Sequence, residues 1–251
     1  MIADPTSQEA SMSLRGVTVE VGGHTAVNDV TFDVEAGTLM GVVGPNGAGK
    51  STLFNAIAGL LPVRQGKVTL QGAGQESGGL AYVPQRESVN WRLPVTAMDV
   101  VMMGRCCRLG WFRRPGKRDR EIVNACLGRV GLWDQRSALM TELSGGQRQR
   151  VFVGRALAQE ANVLLLDEAF SGADVAAQEA LVGILQTLRD EGRIILLATH
   201  DLTNLTGRFD RVLCLNRHVC ACGPPEQVFT SEVMEQMYGA HGVGLNSHGE
   251  P

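Results

Sequence analysis

Gly44-Pro45-Asn46-Gly47-Ala48-Gly49-Lys50-Ser51, followed by Thr52 and an apolar helical run, decides the fold. The string fits G-x-x-x-x-G-K-[ST], a loop that wraps backbone N–H groups around a phosphate. Its three glycines are expected to take positive φ and keep the concavity clear of side chains, with Gly49 the position where a Cβ would obstruct it. A helix from about Lys50 to Leu60 should follow, with Leu53, Ile57 and Leu60 on one face and its positive dipole end towards the anion. Lys50 supplies a point charge for β- and γ-phosphates, and Ser51 a hydroxyl for Mg²⁺. Thr38-Leu39-Met40-Gly41-Val42-Val43 supplies the apolar strand that this loop needs before it.

With 251 residues the chain can bury a full α/β core. A net charge of −3 gives no electrostatic reason to expect nucleic acid as a partner. The Arg108 to Arg120 stretch mixes basic residues with Gly110, Pro115 and Gly116 and reads as a solvated loop. The opening Met1 to Glu9 carries acids and no apolar centre, so a secretory leader is not expected. The apolar runs at Val163 to Leu166 and Ile194 to Ala198 fall far short of the ~20 residues that cross a bilayer, so a soluble chain is expected. Six cysteines lack disulfide-scaffold spacing. His218, Cys220 and Cys222 would share one face of a strand, although this is not a closed-site spacing for metal, and buried cysteine is the ordinary alternative.

Strands are expected at Val17 to Val21, Val30 to Val34, Lys67 to Leu70 and Leu80 to Val83, with a loose arm before about Ser13. Beyond Pro84 the chain turns helical: Thr96 with Asp99 caps a helix from Ala97 to about Met103, and Asp119 to Val130 has helical spacing. Val163 to Leu166, Ile194 to Thr199, Val212 to Leu215 and Val219 to Cys222 are the later strands, with helices around Leu181 to Leu188 and Glu226 to Tyr238. Such alternation implies a mainly parallel sheet with helices on both faces.

Leu143-Ser144-Gly145-Gly146-Gln147 is a second anion-site candidate, because S-x-x-Q is a capping box and Gly145 and Gly146 leave the helix N–H groups bare. Leu164-Leu165-Leu166-Asp167-Glu168 buries a strand and ends it on two acids, Asp167 to hold Mg²⁺ and Glu168 to polarise the attacking water. By these strings, and their order along nearly the whole chain, the sequence resembles the ATP-binding-cassette (ABC) ATPases.

The resemblance implies an α/β P-loop NTPase core with a mainly parallel sheet, antiparallel strands at the N-terminal end and an inserted helical subdomain. It places the core at 13–87 and 160–235, the subdomain carrying the signature string at 88–159, and a flexible tail at 236–251. Gln85 matches the Q-loop glutamine that senses metal and water, His200 matches the switch histidine on the γ-phosphate, and Asp174 matches the D-loop acid at the dimer interface. Together, Gly44 to Thr52, Ser144 to Gln147 and Asp174 are the implied ATP-contacting residues. Ser51, Gln85 and Asp167 are the implied metal group, and Glu168, His200 and Gln85 the catalytic one. The aromatic residue that the family stacks on adenine is replaced by Val21, and Ala169 stands where a proline is common.

One phosphate loop and one signature string per chain imply a head-to-tail homodimer with two ATP molecules in its interface. Asn90 to Thr96, Asp99 to Arg105, Leu109 to Arg114 and Leu215-Asn216-Arg217 resemble the ATPases of manganese, zinc and iron importers. That likeness implies integral membrane permease subunits, an extracytoplasmic metal-binding protein and a place on the cytoplasmic face of the membrane. A cassette for a siderophore, a lipoprotein or cluster assembly is the alternative.

Overall fold

The computed structural model describes residues 11–71, 79–84, 94–109, 114–168, 174–202 and 205–239. Gln85, Trp91, Trp111, Phe112 and Ala169 lie outside the described residues.

A six-stranded sheet runs β5 (Leu80–Val83), β6 (Val163–Asp167), β7 (Ile194–Thr199), β3 (Thr38–Val43), β8 (Arg211–Asn216) and β9 (His218–Gly223). All neighbours are parallel except β8 and β9. The three central strands are continuous apolar runs because both faces of the sheet are covered. Their residues alternate between two cores. Leu39, Val43, Leu164, Leu166, Ile195 and Leu197 face α2 (Ala97–Leu109), α3 (Lys117–Arg129), α4 (Gly145–Ala158) and α5 (Val175–Asp190). Met40, Val42, Val163, Leu165, Ile194 and Leu196 face α1 (Lys50–Ile57) and a second sheet.

Helices cover both faces of the six-stranded sheet as expected, α1 on one and α2 to α5 on the other, but α1 shares its face with that second sheet. It is antiparallel and three-stranded, with β1 (Ser11–Val21) between β2 (His24–Glu35) and β4 (Gln65–Gln71). Because β1 is the middle strand, Ser11 already pairs with both Glu35 and Gln71, and the chain is ordered earlier than the expected loose arm allows. Gly22 and Gly23, at φ 60° and 80°, make the two-residue turn that joins β1 to β2.

Helix α1 stops at Ile57, short of Leu60. Gly59 takes φ 72°, its N–H bonds the Ala56 carbonyl at 3.1 Å, and the Leu60 N–H reaches back to Asn55 at 2.8 Å, a Schellman stop. The single helix expected from Glu226 to Tyr238 is two, α7 (Pro225–Val228) and α8 (Ser231–Tyr238), because the Thr230 hydroxyl caps a new start by accepting from the Val233 N–H. Helix α8 passes residue 236, where the tail was expected to begin: Met237 is buried and the Gln236 carbonyl accepts from Asn216. The Arg108 to Arg120 stretch is helical at both ends, with residues 110–113 outside the described set. A short α6 (Leu205–Arg208) precedes β8. Among the described residues no helix is long and apolar enough to cross a membrane.

Candidate active site

The carboxyl ends of β3, β6 and β7 lie side by side, and parallel sheets of this type build their ligand crevices at those ends. From β3 comes the 44–49 loop and α1, from β6 Asp167 and Glu168, and from β7 His200. They enclose a cleft of about 420 Å³ lined by Ala26, Asn46 to Thr52, Glu168 and His200.

The loop's glycines do not all do the expected job. Gly47 and Gly49 take φ 80° and 93°, but Gly44 has no positive φ. Its need is space, since a Cβ there would sit 2.1 Å from the Leu215 carbonyl oxygen of β8. A Cβ on Gly49 would meet the Ala26 carbonyl oxygen at 2.6 Å, so the obstruction lies towards β2. Backbone bonds also pin the loop: the Arg217 N–H donates to the Ala48 carbonyl at 2.8 Å, and the Arg217 carbonyl accepts from Asn28 at 2.6 Å. Arg217, at φ 63° in the β8–β9 turn, thereby links β2 to the loop.

Lys50 is buried, and its Nζ donates to the Gly44 and Pro45 carbonyls at 2.8 and 3.0 Å. Burial pulls its ammonium below the ordinary lysine value, against the opposing charges of Glu168 and Asp167. Asp167 is 2% exposed. Its Oδ2 accepts from the Tyr82 hydroxyl at 3.1 Å and the carboxylate is also hydrogen-bonded to Ser51, whereas Oδ1 is buried without a hydrogen-bond partner. Burial pushes this carboxyl above the ordinary value, with the Ser51 and Tyr82 hydrogen bonds opposing. Burial, together with the Asp167 charge, also raises the Tyr82 phenol, which keeps it a donor.

Glu168 has φ 49°, a left-handed conformation that costs a residue with a Cβ about 1–2 kcal/mol. Its N–H is held by the Ala198 carbonyl at 3.1 Å. The carboxylate reaches the cleft with Oε1 3.9 Å from Nδ1 of His200, whose side chain is 58% exposed. An acid and an imidazole therefore face the same space beside the anion-binding loop.

Ser144 to Gln147 line no part of this cleft. The capping box is formed: the Gln147 N–H donates to Ser144 Oγ at 3.2 Å and the Ser144 N–H to Gln147 Oε1 at 2.8 Å. Gly146 also meets a packing need, because a Cβ on it would lie 2.6 Å from Cβ of Ala177 on α5. Asp174 caps α5, its Oδ1 accepting from the Ala177 N–H at 2.7 Å. The N-termini of α4 and α5 are thus neighbours, apart from the 44–52 loop. Val21, 46% exposed, is not among the cleft's lining residues.

His218, Cys220 and Cys222 do not share a face. Leu215 pairs with Val219 and Cys214 with Ala221, so Cys220 is the extra residue of a β-bulge. Cys222 then packs towards the α1 core and Cys220 towards the helical core. Among the described residues no group of three or more His, Cys, Asp or Glu could hold a metal ion by itself.

Residue reasoning missed Ala26, Arg217 and Tyr82. The first two act through backbone, which residue type does not advertise. Tyr82 had one signal, a phenol on a strand that must enter a core and therefore find its hydroxyl a partner.

Residues 27–171 match the family described as "ABC transporter". The chain is 46% identical over 221 residues to the "Chelated iron transport system membrane protein YfeB" of Yersinia pestis, covering 86% of this chain and 75% of that protein. It is 43% identical over 239 residues to the "Manganese transport system ATP-binding protein MntA" of Synechocystis, covering 93% and 92%. To the "Zinc transport system ATP-binding protein TroB" of Treponema pallidum it is 44% identical over 213 residues, covering 84% and 80%. Among solved structures, a chain of an ABC transporter in an inward-facing conformation superposes with a TM-score of 0.82 at 26% identity, covering 91% of this chain and 89% of that one. A nucleotide-free ATP-binding cassette superposes with a TM-score of 0.76 at 21% identity, covering 91% and 94%, a likeness of fold.

Proposed function

The chain belongs to the ABC transporter family as one of its ATP-binding subunits, and from that premise we propose that the ATP it hydrolyses drives uptake of Mn²⁺, Zn²⁺ or Fe²⁺. Its hydrolysis is coupled to transport, and the cassette works with membrane permease subunits. The observation carrying the metal reading is identity of 43 to 46% across most of the chain to subunits named for manganese, zinc and chelated iron transport. An extracytoplasmic metal-binding protein would deliver the ion, and the subunit would sit on the cytoplasmic face, held by the permease.

In the proposed chemistry the triphosphate lies along residues 44–52, with Lys50 and the α1 N-terminus countering its charge. A water attacks the γ-phosphorus, a new P–O bond forms, the bond to the β-phosphate oxygen breaks and ADP leaves. Glu168 orients that water and accepts its proton, while His200 donates a hydrogen bond to the transferring phosphoryl group. Gln85 belongs to this group by its sequence position alone. Mg²⁺ fits at Asp167 and Ser51: a buried carboxylate oxygen without a partner is costly unless a cation or donor meets it, Oδ1 of Asp167 is in that condition, and Ser51 reaches the same carboxylate. When bound there it would neutralise charge on the β- and γ-phosphates.

A second copy completes the site. Ser144 to Gln147 do not line their own chain's cleft, and a two-fold partner would bring the α4 N-terminus and Asp174 to the nucleotide.

The test is ATP hydrolysis by this subunit with its permease in proteoliposomes, with Mn²⁺, Zn²⁺ and Fe²⁺ each delivered by a binding protein and Glu168→Gln as the inactive control. Stimulation by one metal is expected. Hydrolysis indifferent to all three would overturn the metal reading and move the cargo to another class.

A further inference from the structure

Asp167 has two oxygens in different conditions, Oδ2 bonded to the Tyr82 hydroxyl and Oδ1 buried without a partner. Tyr82 donates to Oδ2 at 3.1 Å, which restrains the carboxylate's rotation. The phenol is itself held from behind. Tyr82 lies on β5, where it pairs with Leu165 of β6, two residues before Asp167, and its hydroxyl reaches that acid. Its main chain is gripped by α4: Arg155 Nη2 donates to the Tyr82 carbonyl and Gln159 Nε2 to the Leu80 carbonyl, each at 3.2 Å. Tyr82 therefore joins the helix bearing the Ser144 string, through its main-chain carbonyl, to the acid at the end of β6, through its hydroxyl.

We infer that Tyr82 is a positioning residue for the nucleotide-bound divalent cation, acting through Asp167 and not touching the reacting atoms. The inference rests on the reading of Asp167 as the cation's carboxylate. Outer partners of metal-binding carboxylates set ligand orientation, and their loss characteristically weakens metal affinity by about 10-fold or more. A phenylalanine at this position keeps the ring and its packing and removes only the hydroxyl.

The measurement is Mn²⁺ affinity of the full chain by electron paramagnetic resonance in the presence of a non-hydrolysable ATP analogue. Wild type, Tyr82→Phe and Asp167→Asn are compared, with metal-free analogue affinity and thermal midpoint measured alongside. The expected result is about a 10-fold weaker Mn²⁺ constant for Tyr82→Phe, with the other two quantities unchanged. Asp167→Asn should lose Mn²⁺ binding more completely. Tyr82→Phe binding Mn²⁺ like wild type while Asp167→Asn fails to bind would overturn this inference alone. Asp167→Asn binding Mn²⁺ like wild type would overturn the reading beneath it as well.

Discussion

Val21 sits 46% exposed at the end of β1, paired with His24 across a Gly-Gly turn. A valine there offers a nucleobase no aromatic face, and base–aromatic stacking contributes about 1–3 kcal/mol. Val21→Tyr should therefore tighten nucleotide binding by about 5- to 150-fold without altering the cleft, as read by isothermal titration with ATP on a Glu168→Gln background. An unchanged dissociation constant would remove Val21 from the nucleotide's surroundings. At this scale, Lys50, Ser51, Asp167 and Glu168 were legible from their strings and His200 only through the family resemblance, and the structure brings all five to adjacent strand ends. Gly44 was legible as necessary but not for its reason, because a close approach to the Leu215 carbonyl depends on a strand more than 150 residues away. Tyr82 was legible only as a strand residue, since a hydroxyl's partner is fixed by the neighbouring strand and not by the local string.

Elements α2, α3 and the end of α4 are tied by one buried cation. Arg105 of α2, 7% exposed, donates to Asp119 at 3.0 Å, to Glu160 at 2.7 Å and to the Ala158 carbonyl at 2.8 Å. The Gly116 N–H donating to Asp119, together with the Arg105 guanidinium, holds the Asp119 carboxyl below its ordinary value. A carboxylate depressed in this way stabilises the fold above its unfolded value, near ~4, and that contribution is lost as pH falls through the lower folded value. Asp119→Asn should thus cost about 1–3 kcal/mol at pH 7, and the gap in thermal midpoint from wild type should narrow below about pH 4. A gap constant from pH 7 to pH 3 would show that the charge on Asp119 contributes nothing. Element existence was largely legible, since β3, β5 and β7 span the expected residues and the apolar runs announce them. What was not legible is where tertiary bonds cut across pattern. The bulge at Cys220 puts Cys220 and Cys222 against opposite cores, and Thr230 restarts a helix whose apolar spacing runs on without a break. The antiparallel strands at the N-terminal end were legible, but not that they form a separate sheet over α1, because strand alternation says that one face is buried but not under what.

For the whole molecule, the arrangement of its two glycine-rich helix starts, at α1 and α4, argues for pairing. The α1 start closes its own cleft with Glu168 and His200. The α4 start stands apart, and its capping box satisfies the Ser144 and Gln147 N–H groups while providing the preceding helical amides no side-chain cap. Two copies related by a two-fold axis would place each α4 start over the other's cleft, so that one nucleotide meets N–H donors from both chains. ATP would then hold the dimer together, and loss of the γ-phosphate would release it, which is how a bond cleavage becomes a movement that permease subunits can receive. Glu168→Gln, which should slow hydrolysis by about 100-fold or more by removing the proton acceptor, is expected to accumulate as a dimer with Mg²⁺ and ATP in sedimentation velocity, and as a monomer with ADP. Adding Ser144→Arg, whose bulk would fill the space between the α4 start and the facing nucleotide, should abolish the ATP-dependent dimer while the monomer's ATP affinity stays as it was. If the double variant still dimerises with ATP, the α4 start does not face the partner's nucleotide, and its capping box and the Gly146 contact with Ala177 are accounted for by helix packing alone.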